Sequence, residues 1–309
     1  MSAISLDGKV AVVTGSGRGL GQAYAVALAA AGSAVVVNDV DEGAAAETVA
    51  QIVAAGGRAV AEIAAVGSSA AAQQLVDRAV SEFGRLDVMV TNAGVLRDKV
   101  LWKMTDDDFD LVIETHLRGT FCCLRAAAVR MREQGDGGRI MVVGSPAGQY
   151  GNFGQINYSS AKAGIVTMAR TASMELARAG ITVNAIVPTA WTRMTATIPI
   201  YEPLVAKVEA GEPLPHEVRH DHAIGMPDEC APLIVFLASD QAAGITGQAI
   251  GIGGDKLTLY SHPAEAAVAY KEGGWDIAAI AVAWESRLAA FEQPSGVPMP
   301  ELNLSSGDA

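Results

Sequence analysis

Tyr158 and Lys162 stand four residues apart in the run Tyr158-Ser159-Ser160-Ala161-Lys162, whose pattern reads as helix. At that spacing two side chains share one helix face. A free phenol titrates near ~10 and is a poor acid or base at neutral pH. An ammonium beside it stabilises the phenolate and lowers that pKa, which makes proton exchange with an alcohol or carbonyl oxygen feasible. Ser145 lies thirteen residues before Tyr158, just after the apolar run 140–143, and could hydrogen-bond the same substrate oxygen. Taken alone, a tyrosine and a lysine at this spacing also suit an ordinary surface helix. The elements around them decide between the two.

Apolar β-branched runs alternate with Ala-rich amphipathic segments. Strands are expected at 10–14, 34–38, 59–66, 86–91, 139–144, 182–187 and, last, 248–252. Helices are expected at 22–31, 42–55, 70–83, 106–131, 158–179 and 227–238. Strands spaced by such helices imply right-handed βαβ units, so the fold class is α/β: one doubly wound, Rossmann-type parallel sheet with helices on both faces. Residues 189–224 break the rhythm with several prolines and three histidines, and read as a long substrate loop over a site. Residues 1–254 form the main domain, and 255–309 a C-terminal extension with a helical patch near 275–291 and a loose Pro/Ser/Gly-rich end.

Between the first strand and first helix runs Thr14-Gly15-Ser16-Gly17-Arg18-Gly19-Leu20-Gly21. Glycines let a backbone turn tightly and approach a pyrophosphate, and the helix N-terminus offers free N–H groups. Asp39 ends the second strand, eighteen residues past Gly21. A carboxylate there can accept both ribose hydroxyls of NAD and repels the 2′-phosphate of NADP. Arg18 points the other way, because a guanidinium in the loop could pair with that phosphate. Asp39 carries more weight, since an NADP site would have to set phosphate against carboxylate. The expected cofactor is therefore NAD, with NADP second.

Bulk properties exclude other classes. Half of the 309 residues are apolar, enough for a sizeable core. A net charge of −12 argues against nonspecific nucleic-acid binding or an anionic membrane surface. Cys122, Cys123 and Cys230 contain no C-x-x-C and read as reduced, buried thiols. The first nine residues lack a basic-then-apolar signal, and no apolar run reaches the ~18 residues of a membrane span. A cytoplasmic protein with a small-molecule substrate is the expectation.

With these residues assembled, the chain resembles the short-chain dehydrogenases/reductases from about residue 6 to 254. Gly15, Gly19 and Gly21 match T-G-x-x-x-G-x-G; Asn92-Ala93-Gly94 matches N-A-G; Ser145, Tyr158 and Lys162 match the catalytic trio. The resemblance implies that Tyr158 is the acid/base, that Ser145 positions the oxygen, and that Lys162 lowers the tyrosine pKa and holds the nicotinamide ribose. It extends cofactor contact to Leu20, Asn92, Ala93, Gly94, Pro188 and Thr192, and implies a homo-oligomer, dimer or tetramer. Four positions depart: Ala65-Val66-Gly67 lacks the adenine-contacting Asp, His116 replaces the Asn of the central helix, Thr189 replaces a Gly, and Thr91 opens the N-A-G motif. Several stretches, among them Leu96-Arg97-Asp98 and His116-Leu117-Arg118-Gly119, resemble the branch holding the (3R)-hydroxyacyl-CoA dehydrogenase unit of peroxisomal multifunctional enzyme type 2. That branch implies NAD and oxidation of a 3-hydroxyacyl-CoA or a hydroxysteroid. An NADP-dependent ketoreductase and a catalytically silent dinucleotide-binding protein are the alternatives.

Three constellations stay open. His116 could carry protons, as imidazole titrates near working pH, or could brace the site. His216, His220 and His222 around Asp221 could bind a metal but read better as a polar loop; no metal site is expected. Trp191, Met194 and Tyr201 could line a pocket or pack a lid, and Asp106, Asp107 and Asp108 suit a helix start.

Overall fold

The computed structural model describes residues 4–300 and 302. Eight strands form one sheet in the order β3-β2-β1-β4-β5-β6-β7-β8. They are β1 (Val10–Thr14), β2 (Ala34–Asp39), β3 (Arg58–Ile63), β4 (Val88–Thr91), β5 (Gly138–Val143), β6 (Ile181–Pro188), β7 (Ala249–Gly253) and β8 (Lys256–Tyr260). The helices in the βα units are α1 (Gly19–Ala30), α2 (Glu42–Ala54), α3 (Ser69–Phe83), α4 (Asp106–Val112), α5 (Gly119–Gln134), α6 (Pro146–Tyr150) and α7 (Ile156–Leu176). They are followed by α8 (Glu202–Glu209), α9 (His216–His220), α10 (Pro227–Ala238) and α11 (Ile277–Ala283).

Successive strand residues face opposite sides, so each strand feeds two cores. Val10 and Val12 of β1, with Ile140 and Val142 of β5, join α3, α5 and α7. Ala11 and Val13, with Met141 and Val143, join α1, α2 and α10. Burial on both faces explains the continuous apolar runs. Local chemistry sets the helix ends. Asp41 caps α2 and Ser68 caps α3, each accepting a backbone N–H; Gly84 and Gly135 end α3 and α5 in the left-handed region. Thr105 and Asp108 form a reciprocal capping box at α4, as the acidic run implied.

The strand read as the last is not the last. β7 turns through Gly254 and Asp255 into β8, which pairs antiparallel with it. Gly254 sits at φ +49°, and a Cβ there would lie 2.2 Å from the Arg219 carbonyl oxygen. β8 is an edge strand, with Leu257 and Leu259 turned outward, so its apolar alternation gave no core signal. The expected helix 106–131 is also interrupted: Ile113–Arg118 is a π-helical turn between α4 and α5. The expected patch at 275–291 is α11 followed by π and 3₁₀ turns. The last part of the tail read as loose lies outside the described residues. No described helix is long and apolar enough to cross a membrane.

The substrate loop folds as α8 and α9 around its own small core of Trp191, Tyr201, Leu204, Leu214, Val218 and Ile224. Ala223, at φ 56°, is the one described non-glycine residue in the left-handed region. Its carbonyl is hemmed in, since a Cβ at Gly253 would lie 2.1 Å from it. Left-handed backbone costs an L-residue roughly 1–2 kcal/mol, part of which glycine recovers. Ala223→Gly should therefore raise unfolding free energy by about 0.5–1 kcal/mol in urea denaturation. Lower stability in that variant would contradict the strained turn.

Candidate active site

The strand order reverses between β1 and β4, where open α/β sheets bind ligands at the strand ends. There the glycine loop is held by side chains rather than left loose. The Asn92 amide donates to the Thr14 and Gly15 carbonyls at 3.1 and 3.0 Å. Thr14 Oγ1 accepts from the Asn92 and Ala93 amides at 3.0 and 3.1 Å. A Cβ at Gly15 would lie 2.7 Å from Ala93 Cα, and one at Gly21 would lie 2.1 Å from the Gly15 carbonyl oxygen. Asn92, Ala93 and Gly21 thus build the loop, and Thr14, absent from the sequence-based site, anchors Asn92 and Ala93. A polar residue ending an otherwise apolar strand was the available signal.

The loop fits a dinucleotide. Gly15 and Gly19 take φ +60° and +57°, and no side chain caps α1, which leaves its first N–H groups for a ligand. Leu20 packs back into the core. Asp39 Oδ2 accepts the Gly17 N–H at 2.9 Å, while Oδ1 accepts from Val40 and Asp41 at 2.8 and 3.1 Å. Arg18 pairs with Asp41 at 2.7 Å, so the loop cation already has a carboxylate. Pro188 ends β6, and Thr192 reaches the glycine loop: its Cγ2 would be 4.0 Å from a Cβ on Gly19.

Across the crevice, Ser145 follows β5 and caps α6 by accepting the Ala147 N–H at 3.2 Å. Gly148 lets α6 press against α7, because a Cβ there would lie 2.6 Å from the Lys162 carbonyl carbon. Asn157, fully buried, is a second residue that sequence reasoning missed. Its amide donates to the Arg97 and Asp108 carbonyls at 3.1 Å each, and its oxygen accepts the Tyr158 N–H at 2.7 Å. This locks the first turn of α7 and with it the azimuth of Tyr158. A polar side chain at a buried helix start marks such a role, but the partners are distant in sequence.

Ser145, Tyr158 and Lys162 lie beside one another. Lys162 Nζ lies 5.5 Å from the Tyr158 ring centroid. One expectation changes. Burial pushes the Tyr158 phenol above its ordinary pKa, with Ser145 pulling it back and the Asp98 charge adding to the rise. The Lys162 ammonium donates to the Val143 carbonyl at 2.6 Å. Desolvation instead depresses Lys162 to about 7.

His116 projects from the π turn, and its ring meets Tyr158 edge-on at 5.2 Å and 88°. Burial first, and the Lys162 charge second, lower it to about 3, with the Val95 bond opposing. It is neutral throughout the physiological range, which favours the bracing reading over the proton-carrying one. Elsewhere, His222 bridges Tyr201 at 2.7 Å and the Pro300 carbonyl at 2.9 Å, and His220 bonds Asp221 at 2.8 Å. No group of three or more potential metal ligands occurs among the described residues. Trp191 and Tyr201 pack the lid, whereas Met194 remains exposed. All three cysteines are free and buried. A groove of about 530 Å³ opens on the extension between Tyr270 and Arg287, and none of its lining residues belongs to the crevice.

Comparison with known proteins identifies the family. The family model described as short chain dehydrogenase matches residues 9–200. The chain is 42% identical over 253 residues to a 3-oxoacyl-[acyl-carrier-protein] reductase of Synechocystis, covering 81% of this chain and 97% of that protein. It is 40% identical over 270 residues to a hydroxyacyl-CoA dehydrogenase of Mycobacterium tuberculosis, covering 84% and 81% respectively. It is 45% identical over 201 residues to peroxisomal multifunctional enzyme type 2 of Drosophila melanogaster, covering 62% of this chain and only 33% of that longer protein. A solved short chain dehydrogenase from Mycobacterium avium superposes with a TM-score of 0.81 at 35% identity, covering 96% of this chain and 99% of that one. With a family match over well more than half its length, and relatives that share its fold and the greater part of its sequence span, this protein belongs to the short-chain dehydrogenases, oxidoreductases of CH–OH groups that bind a nicotinamide dinucleotide.

Proposed function

We propose that the chain uses NAD to oxidise the secondary alcohol of a 3-hydroxyacyl-CoA to the ketone, with a hydroxysteroid as the second substrate class. The observation that carries this is the desolvated Ser145–Tyr158–Lys162 cluster, with a glycine loop whose Gly17 N–H donates to Asp39. Nicotinamide dinucleotide, when bound, supplies the hydride acceptor. Gly15, Gly19 and the start of α1 would hold its pyrophosphate, Asp39 its adenosine ribose, and Pro188 and Thr192 would border its other end. Tyr158 takes the hydroxyl proton, Ser145 hydrogen-bonds the same oxygen and favours the phenolate, and Lys162 would hold the nicotinamide ribose. A raised phenol pKa leaves the base mostly protonated at neutrality, so oxidation speeds up as pH rises.

Two features support the finer choices. Asp39 and the Arg18–Asp41 pair place carboxylates where NADP would bring a phosphate, which favours NAD. Similarity to a hydroxyacyl-CoA dehydrogenase and to peroxisomal multifunctional enzyme type 2 supports a CoA thioester as the substrate. We further propose a cytoplasmic homo-oligomer.

The test is a panel of steady-state oxidations. kcat/KM should be at least tenfold higher with NAD than with NADP, and higher for 3-hydroxyacyl-CoAs than for hydroxysteroids or carrier-protein thioesters. Preference for NADP would overturn the role given to Asp39, and NAD binding without turnover of any alcohol would favour a silent binding protein.

Lys162 supplies a stability test. Its folded pKa of about 7 lies below the ordinary 10.5, so between those values the unfolded chain binds more protons than the folded one. The cost of burying the ammonium is therefore full below about pH 7 and fades as pH rises. Wild-type unfolding free energy should climb from pH 7 to 9 with a slope of up to ~1.4 kcal/mol per pH unit, and Lys162→Met should lose that climb. Equal slopes for the two proteins would show that Lys162 is not held in a desolvated site.

A further inference from the structure

We infer that the returning end of the C-terminal extension, from Gly296 to Leu302, is a latch that holds the lid closed, and that His222 is the positioning residue through which it acts. The inference rests on the crevice beside Ser145 and Tyr158 being the site of the alcohol substrate. The extension begins and ends at one place. It leaves the sheet at Tyr260, the last residue of β8, whose ring lies 6.2 Å from that of Tyr150. It returns at Gly296, whose N–H donates to the Tyr150 carbonyl at 2.8 Å. Tyr150 ends α6, the short helix that Ser145 caps. Gly296 takes φ +106°, and the chain then runs on to the lid. Pro298 and Pro300 fix their own φ and bias Val297 and Met299 toward extended backbone. The four steps from Gly296 to Pro300 can therefore span roughly 12 Å with little loss of conformational freedom. At the far end the Pro300 carbonyl meets His222 Nε2 at 2.9 Å, and Leu302 packs on the lid core of Trp191, Tyr201 and Val218.

The chemistry of His222 fixes the direction of each bond. A carbonyl oxygen only accepts, so Nε2 carries the proton and donates to Pro300, and Nδ1 is left to accept from the Tyr201 hydroxyl at 2.7 Å. Tyr201 is buried, and burial pushes its phenol up to about 12, so the hydroxyl keeps its proton to donate. The Tyr201 ring meets Trp191 at 5.9 Å and 63°. The Trp191 N–H donates to the Gly225 carbonyl at 2.7 Å, which closes the lid on itself, and Thr192 beside it borders the glycine loop. Contacts thus run from the end of α6 through the latch and across the lid to the edge of the cofactor loop. Among the described residues, none from 296 onward belongs to either core of the sheet. The lid core is also separate from them, so the lid is a unit that can open while the sheet stays folded. A site that is complete only when the lid is closed binds its substrate with an affinity reduced by the closed fraction. The tail thereby sets the apparent affinity for the alcohol without touching the residues that transfer the proton.

The experiment uses the full chain with NAD bound and compares four variants. Gly296→Pro removes the N–H that meets Tyr150 and cannot take the native φ. Leu302→Asp sets a charge against the lid core. His222→Phe keeps a ring and loses both hydrogen bonds, whereas His222→Gln keeps a donor for Pro300. The readouts are the steady-state constants for the 3-hydroxyacyl-CoA and the initial rate of trypsin cleavage after Lys207, an exposed residue of α8. The first three variants should raise KM about tenfold, as a lid closed about a tenth of the time requires, with kcat and the Kd for NAD within about threefold of wild type. Cleavage after Lys207 should quicken at least about fivefold in the same three, because it follows the open population. His222→Gln should stay within about threefold of wild type in both readouts. Unchanged cleavage in both Gly296→Pro and Leu302→Asp would overturn the latch, whatever the kinetics. Faster cleavage with an unchanged KM would overturn its part in substrate binding. If His222→Phe fails to fold, the two tail variants decide, since neither residue lies in a core of the sheet. If the wild-type chain turns over no alcohol, the proposed function fails, and the cleavage rates still decide the latch.

Discussion

The hydrogen bond from Lys162 Nζ to the Val143 carbonyl is the contact around which the site is organised. An ammonium taken out of water needs an acceptor, and one carbonyl at 2.6 Å replaces a hydration shell only in part. The remaining cost appears as the depressed pKa of the lysine. To make this contact, α7 must cross α6 closely, which Gly148 permits, and must start at a fixed place, which Asn157 enforces. Val143 ends β5, and Ser145 follows two residues later at the cap of α6. The same short stretch thus seats the lysine and presents the serine. The two strand ends beside it, β4 and β1, are joined by Asn92 and Thr14, which hold the glycine loop. Both halves of the candidate site are therefore set by one row of parallel strand ends.

That architecture is stable because each interior strand feeds both cores, and it is adaptable because the site hangs on the loops beyond the strands. The lid illustrates this division. It packs around Trp191 and Tyr201, and His222 ties it to the returning tail through Pro300. Arg219 fastens its base to Glu229 and Asp255. The loop that borders the crevice thus has its own core rather than borrowing that of the sheet.

Much of this was legible in the sequence, for physical reasons. The strands of the sheet could be read because burial on two faces leaves unbroken apolar runs. Tyr158 and Lys162 could be placed on one face because helical spacing is local, and Asp39 could be read against β1 and β2 because βα units recur at a regular length. What could not be read depends on distant packing. Nothing local in Ile113–Arg118 announces a π turn. The low pKa of His116 and the raised one of Tyr158 arise from burial by residues far along the chain. Thr14 and Asn157 look ordinary until their partners, 78 and 49 or 60 residues away, are in place. β8 escaped notice because an edge strand with outward leucines lacks a buried face.

The central claim is that Tyr158 accepts the proton as a secondary alcohol is oxidised by a dinucleotide held in this crevice. Isotope transfer tests it most directly. The protein is incubated with NAD and a 3-hydroxyacyl-CoA carrying deuterium at C3, and the NADH formed is analysed by mass spectrometry. The account predicts one deuterium per NADH in the wild-type protein and almost no NADH from Tyr158→Phe, although that variant still binds NAD. Deuterium transfer at the wild-type rate in Tyr158→Phe, or none in either protein despite bound NAD, would contradict it.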